Sequence, residues 1–316
     1  MTFVAGGHHL TMCVGGAQED VDFHTKLLGM RLIKRTVLFD GTTPVYHLYY
    51  SNQNGEPGSI LTTFPFGQAG IKGRRGTNQS KEILLSVPED SIDFWRRRLE
   101  NGNVETRTLE RFGTERLAFQ HPAGIDYQFV AVAGDPREGY RGTDVPQEFA
   151  IHGAYGMGVD CFSPEANVEF IKDFFTHNDV LTDGDSYQVT IGAENSGGVC
   201  EMNVNRHESQ GSWIYGDGTI HHFALNMGDA ENQDAVKLEI EGSGYTDISE
   251  LKDRKYFKSV YVRSPSGSLF ELAITDEAGG WNCDESPEEL GTKFQLPGKF
   301  ESRREEILSQ LETIEA

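Results

Sequence analysis

The chain has 316 residues, 37% hydrophobic and 24% charged, enough for about two domains and a buried core, which excludes a disordered protein. Its 49 acidic against 28 basic side chains give a net charge of -21, which would repel a phosphate backbone and excludes nucleic acid as a partner. The acidity itself names no substrate and reads as solubility.

No run of about 18 apolar residues exists, so no membrane span is expected. The opening MTFVAGGHHL lacks a basic stretch and a long apolar stretch, so no signal peptide is expected and the protein is read as cytoplasmic. Cys13, Cys161, Cys200 and Cys283 are scattered with no CxxC pair, which suits free thiols and disfavours a disulfide frame or a thiolate zinc site.

The first predicted element is the strand HHLTMCV. An amphipathic helix follows around Val21-Asp22-Phe23 and Leu27-Leu28, then the strands MRLIKRTVLFD, VYHLYYSN and GSILTTFPF. The order returns with EILLSVP, a helix on Ile92-Asp93-Phe94 and Leu99, and the paired ending LAFQ, His-Pro-Ala-Gly, IDYQFVAV. A third round opens on GAYGMGVDCF, with Val168-Glu169-Phe170 and Phe174-Phe175 as its helix face. A fourth opens on HHFALNM, has a degenerate helix at Val236-Lys237-Leu238, and closes with FKSVYVRS and SLFELAIT across a Pro-Ser-Gly-Ser turn.

Strand, helix and three strands, four times over, predict an α+β fold of four βαβββ modules at 6–66, 80–133, 150–206 and 219–276. The N-terminal half is 1–133, a Gly- and Pro-rich linker covers 134–149, and the C-terminal half is 150–276. Residues 277–316 read as an irregular arm with an amphipathic helix over 299–314. The β edges of such repeats suit pairing into a homo-oligomer.

Two histidine pairs, His8-His9 and His221-His222, open the first strands of modules one and four. Strand alternation lets only one member of each pair face a given side. The matching places are taken as Ile83 in module two and Gly153, beside His152, in module three. Glu271 interrupts the apolar run Leu269-Phe270-Glu271-Leu272-Ala273, where a carboxylate is costly unless paired or bound to a metal. Its counterparts are Gln128 and Glu201. Two imidazoles and one carboxylate suit Fe(II) and oxygen chemistry. Because these residues come from modules one and four, those two are expected to close one metal cavity, with modules two and three forming a metal-free half.

The βαβββ array with these residues resembles the vicinal oxygen chelate superfamily, which includes glyoxalases and extradiol dioxygenases. More closely, GHHLTMC, LIKRTVLFDG, VYHLYY, GxxGRRGTNQ, QGSW, IHHFA and YVRSPSGSLFE resemble the hydroquinone and chlorohydroquinone 1,2-dioxygenases, from about residue 6 to 275. The resemblance implies His9, His222 and Glu271 as ligands of Fe(II), O2 as co-substrate, and a small aromatic diol as substrate. It also implies roles near the substrate for His8, Thr11, His221, Arg254 and Tyr261: Arg254 holding negative charge, His8 or His221 moving protons, Tyr261 donating to a bound oxygen.

Read from the residues alone, Thr11 shares the side of His9, whereas alternation turns His8 and His221 away. Arg254 lies in the charge run KDRK and Tyr261 in an apolar strand. His24, His47, His121, His177 and His207 read as helix-face, strand or loop residues, His152 with Glu201 as a remnant, and GRRGTNQ as a loop. Three other functions stay open: an extradiol dioxygenase preferring catechols, a glyoxalase-like lyase or isomerase using Zn or Ni, and a non-catalytic aromatic-binding protein.

Overall fold

The computed structural model describes residues 4–38, 43–204, 213–277 and 280–315. His207, the first three residues of QGSW and the Phe39–Gly41 end of LIKRTVLFDG lie outside them.

Module one holds β1 (Gly6–Val14), α1 (Ala17–Val21) running into a π-helical turn (Asp22–Leu27), β2 (Arg31–Leu38), β3 (Val45–Ser51) and β4 (Ile60–Pro65). Module two holds β5 (Gln79–Val87), α2 (Ile92–Asn101), β6 (Arg107–Arg111), β7 (Thr114–Gln120) and β8 (Asp126–Ala131). Module three holds β9 (Gly153–Cys161), α3 (Pro164–Phe174), β10 (Val180–Asp183), β11 (Ser186–Thr190) and β12 (Val199–Val204). Module four holds β13 (Thr219–Asn226), α4 (Ala230–Gly242), β14 (Lys252–Asp253), β15 (Phe257–Arg263) and β16 (Leu269–Thr275).

These strands build two curled eight-stranded sheets, ordered β14-β15-β16-β13-β1-β4-β3-β2 and β10-β11-β12-β9-β5-β8-β7-β6. The first joins modules four and one, the two ends of the sequence, and the second joins modules three and two, its middle. Within a module the first strand lies parallel to the last, as β1 does to β4 and β13 to β16. A parallel pair needs a long crossover, and the helix with the two intervening strands supplies it. Between modules, β1 meets β13 and β5 meets β9 antiparallel.

Side-chain alternation divides β1 between two environments. Leu10, Met12 and Val14 join a core with Ile83, Leu85 and Val87 of β5, Met157 and Val159 of β9, and Trp95, Leu99, Phe170 and Ile240 of the helices. His9 and Thr11 face the other way. In α4 the buried pair is Val236 and Ile240, one helical turn apart, while Leu238 is exposed, which corrects its predicted place on the packed face. The sheets touch backbone to backbone where side chains are missing: a Cβ on Gly7 would lie 2.4 Å from the Gly197 carbonyl oxygen.

The stretch after β16 packs back on the first sheet, with Trp281 and Leu290 among Ile33, Tyr49 and Phe257. The helix predicted over 299–314 is a 3-10 turn (Gly298–Arg303) continued by the short α5 (Arg304–Gln310). Beyond it, the Glu312 carboxylate accepts from the Ala17 and Gln18 amides at 2.7 and 3.3 Å, capping the start of α1. The Gly- and Pro-rich connector is also tied down, Arg137 donating to the carbonyls of Gly58 and Ala154 at 2.7 and 2.8 Å.

Candidate metal centre

β13 lies between β1 and β16, and this neighbourhood brings His9, His222 and Glu271 together. The Nε2 atoms of His9 and His222 are 3.1 Å apart, and Glu271 Oε2 lies 2.6 Å from His222 Nε2 and 3.4 Å from His9 Nε2. All three side chains are buried. Neither Glu271 oxygen receives a well-aligned hydrogen bond, although both are sealed from solvent. A carboxylate so placed has a strong unmet demand for a cation. Burial alone would raise its pKa, but His222 and His9 outweigh burial and hold it well below the usual carboxylate range. Two imidazole nitrogens and a carboxylate oxygen converging on one point, with a cavity on their far side, form a donor set for a divalent metal with open positions.

The other ring nitrogens are engaged too. His9 Nδ1 lies 2.8 Å from His8 Nδ1, and His222 Nδ1 lies 2.8 Å from His221 Nδ1. The pattern repeats in both modules and leaves Nε2 of each second histidine as the atom turned toward Glu271. Burial and the neighbouring histidine lower His8 to about 3, and burial followed by His222 lowers His221 to about 3, so both rings are neutral near neutral pH.

The alternation argument fails at these pairs for a definable reason. His9 pairs with Ala224 while Gly7 pairs with Leu225, so His8 is the extra residue of a β-bulge; Thr11 pairs with His222 while Met12 pairs with Ile220, so His221 is another. A bulge resets the side on which the next residue falls. His221 therefore lines the cavity beside His222, its ring stacked on Tyr215. His8 sits behind His9 among Phe257 and Trp281, with Nε2 3.1 Å from Thr275 Oγ1. Bulges at Lys81 and Tyr155 in the second sheet likewise displace the predicted counterparts. The register matches His9 with Glu82 and His222 with Gly156, not Ile83 and Gly153.

Thr11 Oγ1 lies 2.8 Å from His222 Nε2 and 2.8 Å from Thr62 Oγ1. Tyr261 stands opposite Glu271 in the β15–β16 register, and Arg254 Nη2 lies 3.5 Å from its hydroxyl. Burial and then Glu271 push the Tyr261 hydroxyl pKa up, so it stays a donor. Arg254 is half-buried and lines the cavity, unlike the solvated charge run its sequence context suggests.

The cavity encloses about 950 Å3. Two parts of its wall escaped the sequence reading. His47 and Tyr49 of β3 line it opposite Arg254 and Tyr261, and Pro297–Phe300 of the C-terminal arm close its rim. The arm is fastened by the fully buried Lys34, whose ammonium reaches Asp284 at 2.6 Å and Glu285 at 2.5 Å. Asp284 also accepts from Tyr256 at 2.9 Å. The acidic pair Asp284-Glu285 facing the Lys34-Arg35 pair is the one sequence signal for this latch.

His152 and Glu201 do not form a site. Arg116 holds Glu201 at 2.6 and 2.9 Å, and His152 lies 3.7 Å from Asp135. His24 and His121 meet on Asp20 in a second buried cluster, joined by Tyr50 and Thr63, which donate to Asp20 Oδ2 at 2.6 and 2.5 Å. Every ring nitrogen there has a partner, and Asp20 accepts on both oxygens, so the cluster is complete without an ion.

No protein-family profile matches the chain. It is 36% identical over 308 residues to the chlorohydroquinone/hydroquinone 1,2-dioxygenase of Sphingobium indicum, covering 96% of this chain and 95% of that protein. It is 34% identical over 304 residues to a Bacillus subtilis protein provisionally named ring-cleaving dioxygenase MhqE, covering 96% of each. A crystal structure of a provisionally named dioxygenase from Bacillus subtilis superposes with a TM-score of 0.91 at 31% identity, over 100% of this chain and 99% of that one. Glyoxalase I of Zea mays shares the fold, with a TM-score of 0.62 at 13% identity over 85% of this chain and 92% of that one. No helix of the described residues is long and apolar enough to cross a membrane.

Proposed function

Since the chain belongs to the ring-cleaving dioxygenases of the vicinal oxygen chelate fold, we propose that it is an Fe(II)-dependent enzyme that opens a hydroquinone-type aromatic ring with O2. One observation carries this reading: a buried His9–His222–Glu271 trio whose carboxylate lacks an aligned partner and whose open side faces a cavity with ample room for an aromatic diol. Fe(II) held there would supply the Lewis acidity that favours a bound phenolate and the redox capacity to engage O2.

The chain's own residues do the rest. His8 and His221 accept at Nδ1 and so fix the ligand rings with Nε2 inward. Arg254 and the Tyr261 hydroxyl lie together on one wall, where a guanidinium holds a phenolate's negative charge and a neutral phenol donates to a developing oxyanion. His221 borders the cavity and holds a proton on Nε2 when Nδ1 accepts from His222, which suits it to proton transfer. His8 has no place on the cavity wall, and its part is to orient His9. Thr11 keeps its hydroxyl within reach of the coordinating nitrogen of His222.

The test is oxygen uptake by protein loaded with Fe(II) under argon and then offered hydroquinone or catechol in air, with Glu271→Ala alongside. Iron-dependent uptake with hydroquinone is expected. In the variant both bound iron and uptake fall by more than the ~10–100-fold that follows loss of a residue merely supporting a ligand. Uptake with catechol alone moves the enzyme to the extradiol type. An iron-loaded protein that consumes no oxygen with either diol sinks the dioxygenase reading in favour of a lyase or a binding protein.

A further inference from the structure

The chemistry above uses the wall built by β15 and β16 and leaves the facing wall idle. That wall is polar. The Tyr49 hydroxyl lies 2.8 Å from His47 Nδ1, and His47 Nε2 lies 3.0 Å from Thr62 Oγ1. Both residues line the cavity, and Tyr49 is fixed by Trp281 at 4.9 Å between ring centroids. Both His47 nitrogens are thereby engaged, and the Tyr49 oxygen keeps one further hydrogen-bonding position.

Their position is not arbitrary. Tyr49 pairs with Thr62 across β3 and β4 as Tyr261 pairs with Glu271 across β15 and β16. Each tyrosine thus holds the same place in its own module, and the two modules meet at β1 and β13, which carry the histidine ligands. An aromatic ring lying in the cavity over the trio has one tyrosine on either side.

The two kinds of diol make different demands on such a cavity. A catechol turns both adjacent oxygens toward the metal and needs no polar partner elsewhere. A hydroquinone turns one oxygen to the metal and carries the other across the ring to the far wall. Left without a partner there, that hydroxyl loses its water for nothing, at a cost of ~1–3 kcal/mol. Tyr49 can take it whichever way its bond to His47 runs. If the tyrosine donates to Nδ1, its oxygen keeps a lone pair; if it accepts, it keeps its proton. Burial holds the Tyr49 pKa well above the ordinary value, so the group remains a neutral hydroxyl.

We propose that the His47–Tyr49 pair is the subsite for the second hydroxyl of a para-diol, and thereby the feature that selects hydroquinones over catechols. This rests on the ring-cleaving reading given above. His47 is a positioning residue, acting through Tyr49.

The experiment measures Kd by calorimetry for Fe(II)-loaded protein under argon, with hydroquinone, catechol and phenol. Phenol has the metal-binding oxygen and lacks the distal one. Wild type is expected to bind hydroquinone about tenfold tighter than phenol, the usual worth of one buried hydrogen bond. Tyr49→Phe, which keeps the ring and its packing, should bring the two ligands level by weakening hydroquinone alone, with iron content unchanged. His47→Gln should narrow the gap in part. A Tyr49→Phe protein that weakens both ligands equally, or neither, overturns the subsite while leaving the dioxygenase reading intact. Wild-type protein that holds iron and binds none of the three overturns both.

Discussion

Glu271 in the first sheet and Glu201 in the second occupy one register position, opposite Ala224 of β13 and Gly158 of β9 respectively. Both are completely buried. Around Glu271 stand two histidines and an open cavity. Around Glu201 stand the Arg116 guanidinium in a two-pronged contact and the Gln188 amide at 2.8 Å, and Arg116 also reaches Gln128 at 3.2 Å. The arginine comes from a telling place: Ala118 faces Gln128 as Tyr49 faces Thr62, so Arg116 and His47 are counterparts two residues before. Where His222 stands in the first sheet the second has Gly156, and a Cβ there would lie 1.9 Å from the Val199 carbonyl oxygen. Both sheets therefore bury a carboxylate and must answer its charge. The second does so permanently from its own chain, and the first, on the function proposed above, leaves the place to an ion from solution. A guanidinium that fills the space and forks onto both oxygens also removes any open position at Glu201.

That contrast is broken most forcefully at Arg116. Arg116→Met strands the Glu201 charge in the interior and should cost about 3–5 kcal/mol of unfolding free energy. The double variant Arg116→Met with Glu201→Leu removes both charges and should return to within about 1 kcal/mol of wild type. Urea unfolding of the two proteins reads this directly. Iron content of the folded fraction should match wild type in both, because neither residue touches the His9–His222–Glu271 trio. A fall in bound iron in the double variant would mean that the sheets are not independent.

Much of this arrangement is visible in the sequence, because it depends on local pattern. The four strand-helix-strand rounds, the two histidine pairs and the carboxylate inside LFELA are all short-range features, and they suffice to expect modules one and four to share a cavity. What the sequence hides is set by long-range partners. Bulges at His8, His221, Lys81 and Tyr155 arise from how two strands match, so counting residues from each strand's start misplaced Ile83 and Gly153. Lys34 and Arg35 look like surface charges until the arm's Asp284 and Glu285 fold back over Lys34. His47 and Arg116 sit in unremarkable alternating strands, and only the register reveals that one faces a cavity and the other a carboxylate.

The joint between the two sheets gives a smaller and pH-dependent effect. Asp20 and His24, from the helix of module one, meet His121 of module two. Burial raises the Asp20 pKa, but His24 and His121 together outweigh it and hold the group below its ordinary value. A carboxyl depressed in the fold stabilises it above its unfolded pKa of about 3.9, and this is lost as pH falls from there toward the folded value. Asp20→Asn removes that contribution, so it should cost ~1–3 kcal/mol near neutral pH and much less in acid. Urea midpoints of wild type and variant should converge as pH is lowered below about 4. A gap that stays constant with pH would show that the network's packing matters and its charge does not.

The gentlest probe of the difference between the sheets is the arm, which packs on the first sheet. Phe300 is half-buried at the cavity rim, next to Lys299 and far along the chain from the latch at Asp284 and Glu285. Truncating it leaves Lys34 satisfied and the trio untouched, so bound iron should be unchanged, while its lost contact with Val37, Leu296 and Ile307 should cost only about 1 kcal/mol of stability. What it removes is apolar surface over the bound ring, and with it part of the exclusion of water. For one partly exposed ring the loss is about 1 kcal/mol, which is about fivefold in KM. Because Phe300 adds binding shared by the ground and transition states, kcat should hold while KM rises. Steady-state oxygen uptake by Phe300→Ala across a range of hydroquinone concentrations separates the two constants. A fall in kcat at unchanged KM would instead assign the arm a part in the chemical step, and make the first sheet a site whose fourth wall acts on the reaction itself.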